Sequence, residues 1–257
     1  MITRLPILNI WIDTLTMDTA LARVAEFVRQ GDRVHTVFAA NPEKNFSVPK
    51  DPMLYSLFRD ADLLLPDGIG MVLAARLLHR AKLERVPGCE FMERCCAFAA
   101  KNGYPIFLYG AKEEVNAKAA SELVRKYPGL VIAGRQDGYL PEERMVELVE
   151  RINASGARFL FLALGSPRQE KWVAKHGGML TTVSVCQGIG GTLDVIAGTV
   201  QRAPQAWCKL GLEWLYRLLA EPKRIARQKA LPVFAWLVAK AYWRQIVGLE
   251  PAQQSLR

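Results

Sequence analysis

The sequence predicts an α/β fold, a Rossmann-like and mainly parallel sheet with helices on both faces, followed by a basic helical appendage. Short apolar runs alternate along the chain with segments of helical periodicity, as in parallel sheets covered by helices. The composition changes near residues 199–204, where the chain becomes basic and rich in tryptophan. We therefore predict a main domain over residues 1–200 and an appendage over residues 201–257.

Seven apolar runs are interpreted as strands. They are residues 5–12, 34–40, 62–65, 105–109, 130–133, 159–164 and 182–186. Helical periodicity fills most of the gaps, over residues 17–29, 69–78, 90–101, 113–126 and 142–153. Thr16 can cap the first of these helices, Asn102-Gly103 ends the third, and Pro141 lies at the start of the last. Strands and helices therefore alternate through the whole main domain.

The composition fits a folded globular chain, since 51% of the 257 residues are hydrophobic and 23% are charged. The five cysteines form no CxxC pair, so we expect free thiols in a reducing compartment, although a cysteine nucleophile remains open. His35, His79 and His176 are scattered without the spacing of zinc ligands. The sequence therefore does not predict a metal site.

Polar, glycine-containing loops follow the predicted strands. Asn41 follows the second strand, and Gly188-Ile189-Gly190-Gly191 follows the last. Ligands of parallel sheets bind at the carboxyl ends of the strands, and glycines let backbone N–H groups approach phosphate oxygens. These loops predict a nucleotide site. A complete GxGxxG after the first strand is missing, which argues against a dinucleotide-dependent oxidoreductase.

Asp67 is the most informative single residue. A short apolar strand ends in Pro66-Asp67-Gly68, and an apolar helix begins at once. A carboxylate fixed in such a loop can act as a general base on a bound substrate. Asp-Gly after a strand is also an ordinary turn, so both interpretations stay open on this motif alone.

Asp60-Ala61-Asp62 matches the DxD metal motif of many sugar-nucleotide transferases. It lies where a helix turns into a strand, upstream of the predicted site, and we interpret it as structural. No other carboxylate cluster suggests a Mg²⁺ or Mn²⁺ site. We therefore expect no metal and no other cofactor.

The appendage carries most of the net charge of +9. From residue 199 onwards there are ten basic and three acidic residues, together with four of the six tryptophans. Basic helices with interleaved aromatic residues suit an anionic membrane surface, and residues 230–239 are apolar but too short to span a bilayer. Nucleic acid is disfavoured because no RNA-binding signature or zinc finger is present. Packing on the domain or on another subunit remains an alternative.

Several motifs, in the same order, give the chain a family resemblance from about residue 7 to residue 227. The chain resembles the WecG/TagA/CpsF glycosyltransferases (glycosyltransferase family 26). The likeness rests on Ala40-Asn41-Pro42-Glu43, Pro66-Asp67-Gly68-Ile69-Gly70, Arg85-Val86-Pro87-Gly88, Asp137-Gly138-Tyr139, Gly165-Ser166-Pro167-Arg168-Gln169-Glu170, Gly188-Ile189-Gly190-Gly191-Thr192-Leu193-Asp194, Val200-Gln201-Arg202-Ala203-Pro204, Leu210-Gly211-Leu212-Glu213-Trp214-Leu215-Tyr216-Arg217-Leu218 and Glu221-Pro222-Lys223-Arg224-Ile225-Ala226-Arg227.

The resemblance implies an inverting transferase that moves a sugar from a UDP-sugar to a polyprenyl-diphosphate-linked saccharide. Such enzymes work at the inner face of the bacterial cytoplasmic membrane, in exopolysaccharide, teichoic acid or common antigen synthesis. By motif position, Asp67 would be the general base, and Arg217, Arg224 and Arg227 would stabilise the diphosphate. The implied substrate-binding residues are Asn41, Gly68, Tyr139, Ser166, Gln169, Gly188, Gly190, Gly191 and Asp194.

Ala39 is a departure from the family pattern, which commonly has threonine there. The missing hydroxyl leaves the identity of the donor sugar open, and the acceptor sugar is open as well. The residues at 72–78 present an apolar face that could serve a homo-oligomer contact. A non-catalytic membrane-associated subunit of a polysaccharide assembly complex is the alternative function, but such a subunit need not retain Asp67, Asn41 and Gln169.

Overall fold

The computed structural model describes residues 2–201, 203–204, 207, 214–216 and 229–249. Within them the strands are β1 Arg4–Ile7, β2 Ile10–Asp13, β3 His35–Ala40, β4 Leu63–Pro66, β5 Ile106–Gly110, β6 Ile132–Gln136, β7 Phe159–Ala163 and β8 Val185–Gly188. The α-helices are α1 Met17–Gln30, α2 Lys44–Ser47, α3 Pro52–Asp60, α4 Ile69–His79, α5 Gly88–Asn102, α6 Glu113–Lys126, α7 Met145–Ala154, α8 Arg168–His176, α9 Thr192–Ile196 and α10 Ala230–Ile246. Short 3-10 segments occupy Val48–Lys50, Glu142–Arg144 and Gly177–Met179.

Six strands form one parallel sheet in the order β4-β3-β8-β7-β5-β6. The register pairs Ala40 with Pro66 and Leu162 with Gly188, so the strands end level with one another. All six carboxyl ends therefore lie along one side of the sheet, called here the carboxyl edge. This arrangement confirms the predicted Rossmann-like α/β fold.

The first predicted strand is wrong. Residues 5–12 do not form one strand: β1 and β2 are an antiparallel hairpin that turns at Leu8, where φ is +58°. The turn is held from elsewhere in the chain, because the Asn9 N–H donates to Asn45 Oδ1 at 3.0 Å. The hairpin joins the sheet through Asp13, whose Oδ2 accepts from the Leu64 N–H at 2.8 Å. Apolar residues on both sides of the turn concealed it in the sequence.

Two apolar layers cover the two faces of the sheet, as predicted. Strand residues such as Phe38 and Leu160 pack with α3, α4, α7 and α8, whereas Val37 and Phe161 pack with α1, α5, α6 and α9. Side chains alternate along each strand, so neighbouring residues enter opposite layers. The helices on the two faces are thus placed by the apolar pattern of the buried strands.

Helix ends follow the sequence signals closely. Thr16 caps α1 by accepting from the Thr19 N–H at 3.1 Å, and α5 ends at Gly103 in the left-handed conformation. The helix predicted over residues 142–153 is α-helical only from Met145, because its first turn is the 3-10 segment Glu142–Arg144. This differs from the prediction by one turn.

The chain leaves neighbouring strands β3 and β8 towards opposite faces. After β3 it enters α2 and α3 in one layer, and after β8 it enters α9 in the other. Such a reversal opens a crevice at the carboxyl ends of the two strands, the usual ligand position in open parallel sheets. The fold therefore places a candidate site beside residues 41 and 189.

Helix α10 lies against α4. Its Phe234 and Val238 are buried in the layer that contains Met71 and Ala74 of α4. No helix in the described parts of the chain is both long and apolar enough to cross a membrane. Most of the segment between residues 201 and 229 lies outside the described residues, so the predicted boundary near residue 200 stays a prediction.

Gly110 ends β5 with φ of +127°, and a Cβ there would lie 2.4 Å from the Ala163 carbonyl carbon in β7. Gly110→Ala strains the backbone and separates two paired strands. We expect the free energy of unfolding, measured with urea, to fall by about 2–4 kcal/mol. Gly103→Ala is the control, because its φ is also positive but nothing lies within 4 Å of the added Cβ. Equal losses would rule out the strand contact as the cause.

Candidate active site

Asp67 and Asn41 lie on adjacent strands at the carboxyl edge. They directly follow Pro66 and Ala40, which are paired in the register, so their backbones are about 5 Å apart. The Asp67 N–H donates to the Ala40 carbonyl at 3.0 Å and to the Leu65 carbonyl at 2.8 Å. Both side chains are half-buried. The structure thus brings the predicted base next to the predicted substrate-binding asparagine.

The loop that contains Asp67 leads straight into α4. Gly68 takes φ of +94°, a conformation that favours glycine, and it occupies the N-cap position without any side-chain cap bond. A Cβ added at the next glycine, Gly70, would lie 3.0 Å from Pro42 Cγ and 3.6 Å from Phe234 Cε1. The Asp67 loop, the Asn41 loop and α10 therefore pack together.

Gln169 links the loops after β7 and β8. Its side chain is 6% exposed, and its Oε1 accepts from the Gly190 N–H at 2.9 Å. A Cβ on Gly188 would lie only 2.5 Å from Gln169 Nε2, so a side chain at position 188 would displace the Gln169 amide from this arrangement. The predicted residues Gln169, Gly188 and Gly190 are thus brought together, with Gly191 next to them before α9.

Lys44 and Glu170 are functional candidates that our sequence analysis did not assign. The Lys44 ammonium donates to Glu170 Oε1 and to Ser166 Oγ. The Lys44 N–H donates to both the carbonyl and Oδ1 of Asn41, at 3.0 and 3.2 Å. Glu170 is the last residue of the Gly165–Glu170 motif and Lys44 is three positions after Asn41, and this proximity to the motifs was the signal in the sequence.

Tyr139 and Asp194, two further predicted binding residues, lie at different positions along the carboxyl edge. Tyr139 follows β6 at the opposite end of the sheet, five strands and about 24 Å from β4, and its ring is largely exposed. Asp194 lies in α9, where its carbonyl accepts from the Thr199 N–H at 3.0 Å. Tyr139 is not brought to the Asp67–Asn41 pair, whereas the Asp194 carboxylate lies beside the glycine loop after β8, with Oδ2 3.7 Å from the position of a Cβ at Gly191. Arg217, Arg224 and Arg227 lie outside the described residues, so their predicted roles stay predictions.

The Asp60-Ala61-Asp62 motif lies at the opposite, amino-terminal end of β4. Asp62 accepts from the Arg33 guanidinium and from the Thr36 N–H at 2.9 Å, and it contacts His35 Nδ1 at 3.0 Å. Asp60 is exposed and pairs with Arg59. These contacts support the structural interpretation. Among the described residues, no group of three His, Cys, Asp or Glu side chains could hold a metal ion.

The comparison with known families agrees with this geometry. The sequence profile of the glycosyl transferase WecG/TagA/CpsF family matches residues 5–247. The chain belongs to this family. It is therefore a glycosyltransferase of cell-surface polysaccharide synthesis. The match to the WecG/TagA/CpsF family includes every loop of the carboxyl edge and extends through α10.

Asp62 provides a test of the structural interpretation of the DxD motif. Burial alone would raise the pKa of Asp62, but hydrogen bonds from Arg33, the Thr36 N–H and His35 outweigh it and hold the pKa below its ordinary value. A carboxylate with a depressed pKa stabilises the folded state above its unfolded-state pKa, and this stability is lost as the pH falls through its folded-state pKa.

We expect Asp62→Asn to lower the free energy of unfolding at pH 7 by about 1–3 kcal/mol. The loss of stability between about pH 5 and pH 2 should also become shallower, as measured by urea unfolding at each pH. Asp60→Asn, which changes an exposed ion pair, is the control and should cost less than about 1 kcal/mol. An Asp62→Asn protein with unchanged stability would contradict the structural role.

Proposed function

We propose that the protein transfers a sugar from a UDP-sugar to a polyprenyl-diphosphate-linked saccharide, with inversion at the anomeric carbon. The observation that carries this proposal is the position of Asp67 beside Asn41, at the carboxyl edge of a sheet that belongs to a glycosyltransferase family. Saccharides linked to lipid diphosphates are built at membranes, which agrees with the basic, aromatic-rich appendage.

A single displacement accounts for inversion. The acceptor hydroxyl gives its proton to the Asp67 carboxylate, and its oxygen forms a bond to the anomeric carbon. The bond from that carbon to the UDP oxygen breaks at the opposite face, and UDP leaves with the electron pair. The Asp67 N–H bonds to the ends of β3 and β4, so the main chain that carries the proposed base is held at the carboxyl edge before the acceptor binds.

The departing diphosphate needs positive charge or hydrogen-bond donors. We propose that the loop with Gly188, Gly190 and Gly191 offers backbone N–H groups, and that Ser166 adds a hydroxyl. Arg217, Arg224 and Arg227 would supply guanidinium groups that close over the site, and Arg224 and Arg227 share one face if that segment is helical. This set would let the reaction proceed without a metal ion.

The surface formed by α4 and α10 supports membrane binding next to the site. The outer side of α10 exposes Val233, Trp236, Tyr242, Trp243 and Ile246, and α4 exposes Leu73 and Leu77. Both tryptophans are 59% exposed, and the Lys240 ammonium lies 5.0 Å from the Trp236 ring centroid. Apolar side chains with cationic neighbours suit the interface of an anionic bilayer. Since α4 begins beside Asp67, a lipid-linked acceptor could lie in the bilayer while its sugar reaches the base.

Asp67→Asn tests the proposed base. With a lipid-diphosphate-linked acceptor in detergent and a panel of UDP-sugars, we expect acceptor-dependent UDP release from one donor. The variant should lose about 10²–10⁴-fold in kcat, because it cannot accept the hydroxyl proton. Asp60→Asn is the control. EDTA should leave the rate unchanged, because the proposed mechanism uses no metal ion. Normal turnover by the Asp67→Asn protein would remove Asp67 from this role.

Trp236→Ala/Trp243→Ala tests the membrane surface. We expect binding to vesicles containing an anionic phospholipid to weaken by about tenfold or more for each tryptophan, because each substitution removes apolar side-chain area that would be buried in the bilayer. Activity should fall with a lipid-linked acceptor in vesicles and stay unchanged with a water-soluble acceptor analogue. Val131→Ala/Val146→Ala, which changes exposed apolar residues of the main domain, is the matched control. Equal vesicle binding by both double variants would contradict the proposal.

A further inference from the structure

Lys44 and Glu170 form a buried ion pair beneath the carboxyl edge. Their side chains are 9% and 1% exposed, and the ammonium bonds directly to Glu170 Oε1. Removing two charges from water costs several kcal/mol for each ion, and apolar residues of similar volume often stabilise a protein as well or better. The second carboxylate oxygen, Oε2, has no hydrogen-bond partner among the described residues. Stability alone therefore explains this pair poorly.

The pair connects the three loops that carry the candidate site. On one side, the Lys44 N–H bonds to the carbonyl and Oδ1 of Asn41, in the loop after β3. On the other side, Glu170 lies in the first turn of α8, after β7, and its Oε1 accepts from Gln169 Nε2 at 3.4 Å. Gln169 in turn accepts from the Gly190 N–H, in the loop after β8. These hydrogen bonds, joined through the side chains of Lys44 and Gln169, thus connect the loops that follow three adjacent strands.

The same ammonium also determines how Ser166 can act. A hydroxyl has one proton to donate and two lone pairs, whereas an ammonium can only donate. Because Ser166 Oγ accepts from Lys44, its own proton is directed to another acceptor. Ser166 is exposed at the carboxyl edge, where a bound ligand would lie. The hydroxyl is therefore prepared as a hydrogen-bond donor towards an oxygen-rich ligand.

We propose that Lys44 and Glu170 are positioning residues for the sugar nucleotide. They fix the loops after β3, β7 and β8 relative to one another and present the Ser166 hydroxyl as a donor to an oxygen of the bound substrate. This inference rests on the proposed function, because it takes the UDP-sugar as the ligand. Neither residue contacts the reacting atoms in this assignment, and both act through Asn41, Gln169 and Ser166.

The decisive variant is Lys44→Met/Glu170→Met, which leaves no buried charge unpaired. The single variants Lys44→Met and Glu170→Met each leave one charge without its partner and are expected to be less stable than the double variant. In the double variant we expect urea stability near that of the wild type. Hydrogen exchange of the peptide covering residues 188–192 should accelerate by about tenfold or more, because Gln169 loses its support. Unchanged exchange would overturn the inference.

Kinetics supply the second readout. In the wild type, Ser166→Ala should raise the KM for the UDP-sugar by about tenfold, because this is the affinity that one hydrogen bond to a charged group usually contributes. In the double variant the KM should already be raised, and adding Ser166→Ala should change it little. Independent, multiplicative effects of the two changes would show that the ion pair does not act through Ser166. Ser166→Ala leaves the pair intact, so it tests the hydroxyl even if the double variant is unstable.

Arg4→Met/Asp13→Asn is the matched control. This pair is also largely buried but lies at the opposite edge, where Asp13 holds the β1–β2 hairpin to β4. We expect it to lower stability without altering the KM or the exchange of residues 188–192. If the wild type transfers no sugar from any UDP-sugar, the proposed function fails. The exchange experiment would still decide whether the ion pair fixes the loops.

Discussion

The parallel alignment of the six strands is the constraint on which the candidate site depends. Residues that are more than a hundred positions apart in the chain, such as Asn41 and Ser166, follow strands that end level at one edge of the sheet. Parallel strands require a crossover between each pair, and the apolar faces of those crossover helices form the two buried layers. The same packing that stabilises the domain therefore also gathers its polar loops.

Of the four buried polar side-chain atoms without a partner among the described residues, three lie towards the carboxyl edge, and the fourth, Arg158 Nε, precedes β7. Among the described residues, buried side-chain oxygens without a partner include Glu170 Oε2, Gln187 Oε1 and Asn116 Oδ1. Gln187 belongs to β8, Asn116 donates to the last carbonyls of β5 and β6, and Glu170 lies just after β7. Strand ladders end at this edge, so side chains must hold the loops. These unpaired polar atoms lie among the side chains that hold the loops of the candidate site, where the free-energy cost of an unpaired polar group is accepted in exchange for fixed loop positions.

The sequence was sufficient to locate the strands of the parallel sheet and five of its helices, but not to show which residues become neighbours. Six of the seven predicted strands correspond to strands of the sheet, because buried parallel strands form clear apolar runs. The β1–β2 hairpin was missed because its turn depends on Asn45, which lies 36 residues away. Likewise, the motif at Asp67 did not reveal that Asn41 lies beside it, since that adjacency follows from strand order. Lys44 and Glu170 are 126 residues apart, and nothing local marks them as partners.

Gly70 explains how the appendage can influence the chemistry. It is the second residue of α4, where a Cβ would be 3.0 Å from Pro42 and 3.6 Å from Phe234. Pro42 follows Asn41, and Phe234 is on the inner side of α10, whose outer side carries Trp236 and Trp243. Phe234 of α10 therefore packs against the start of α4, next to Asp67, and close to the Asn41 loop. Close packing leaves no room for a side chain at position 70. If α10 binds a bilayer, as we propose, this contact would connect that binding to the Asp67 loop.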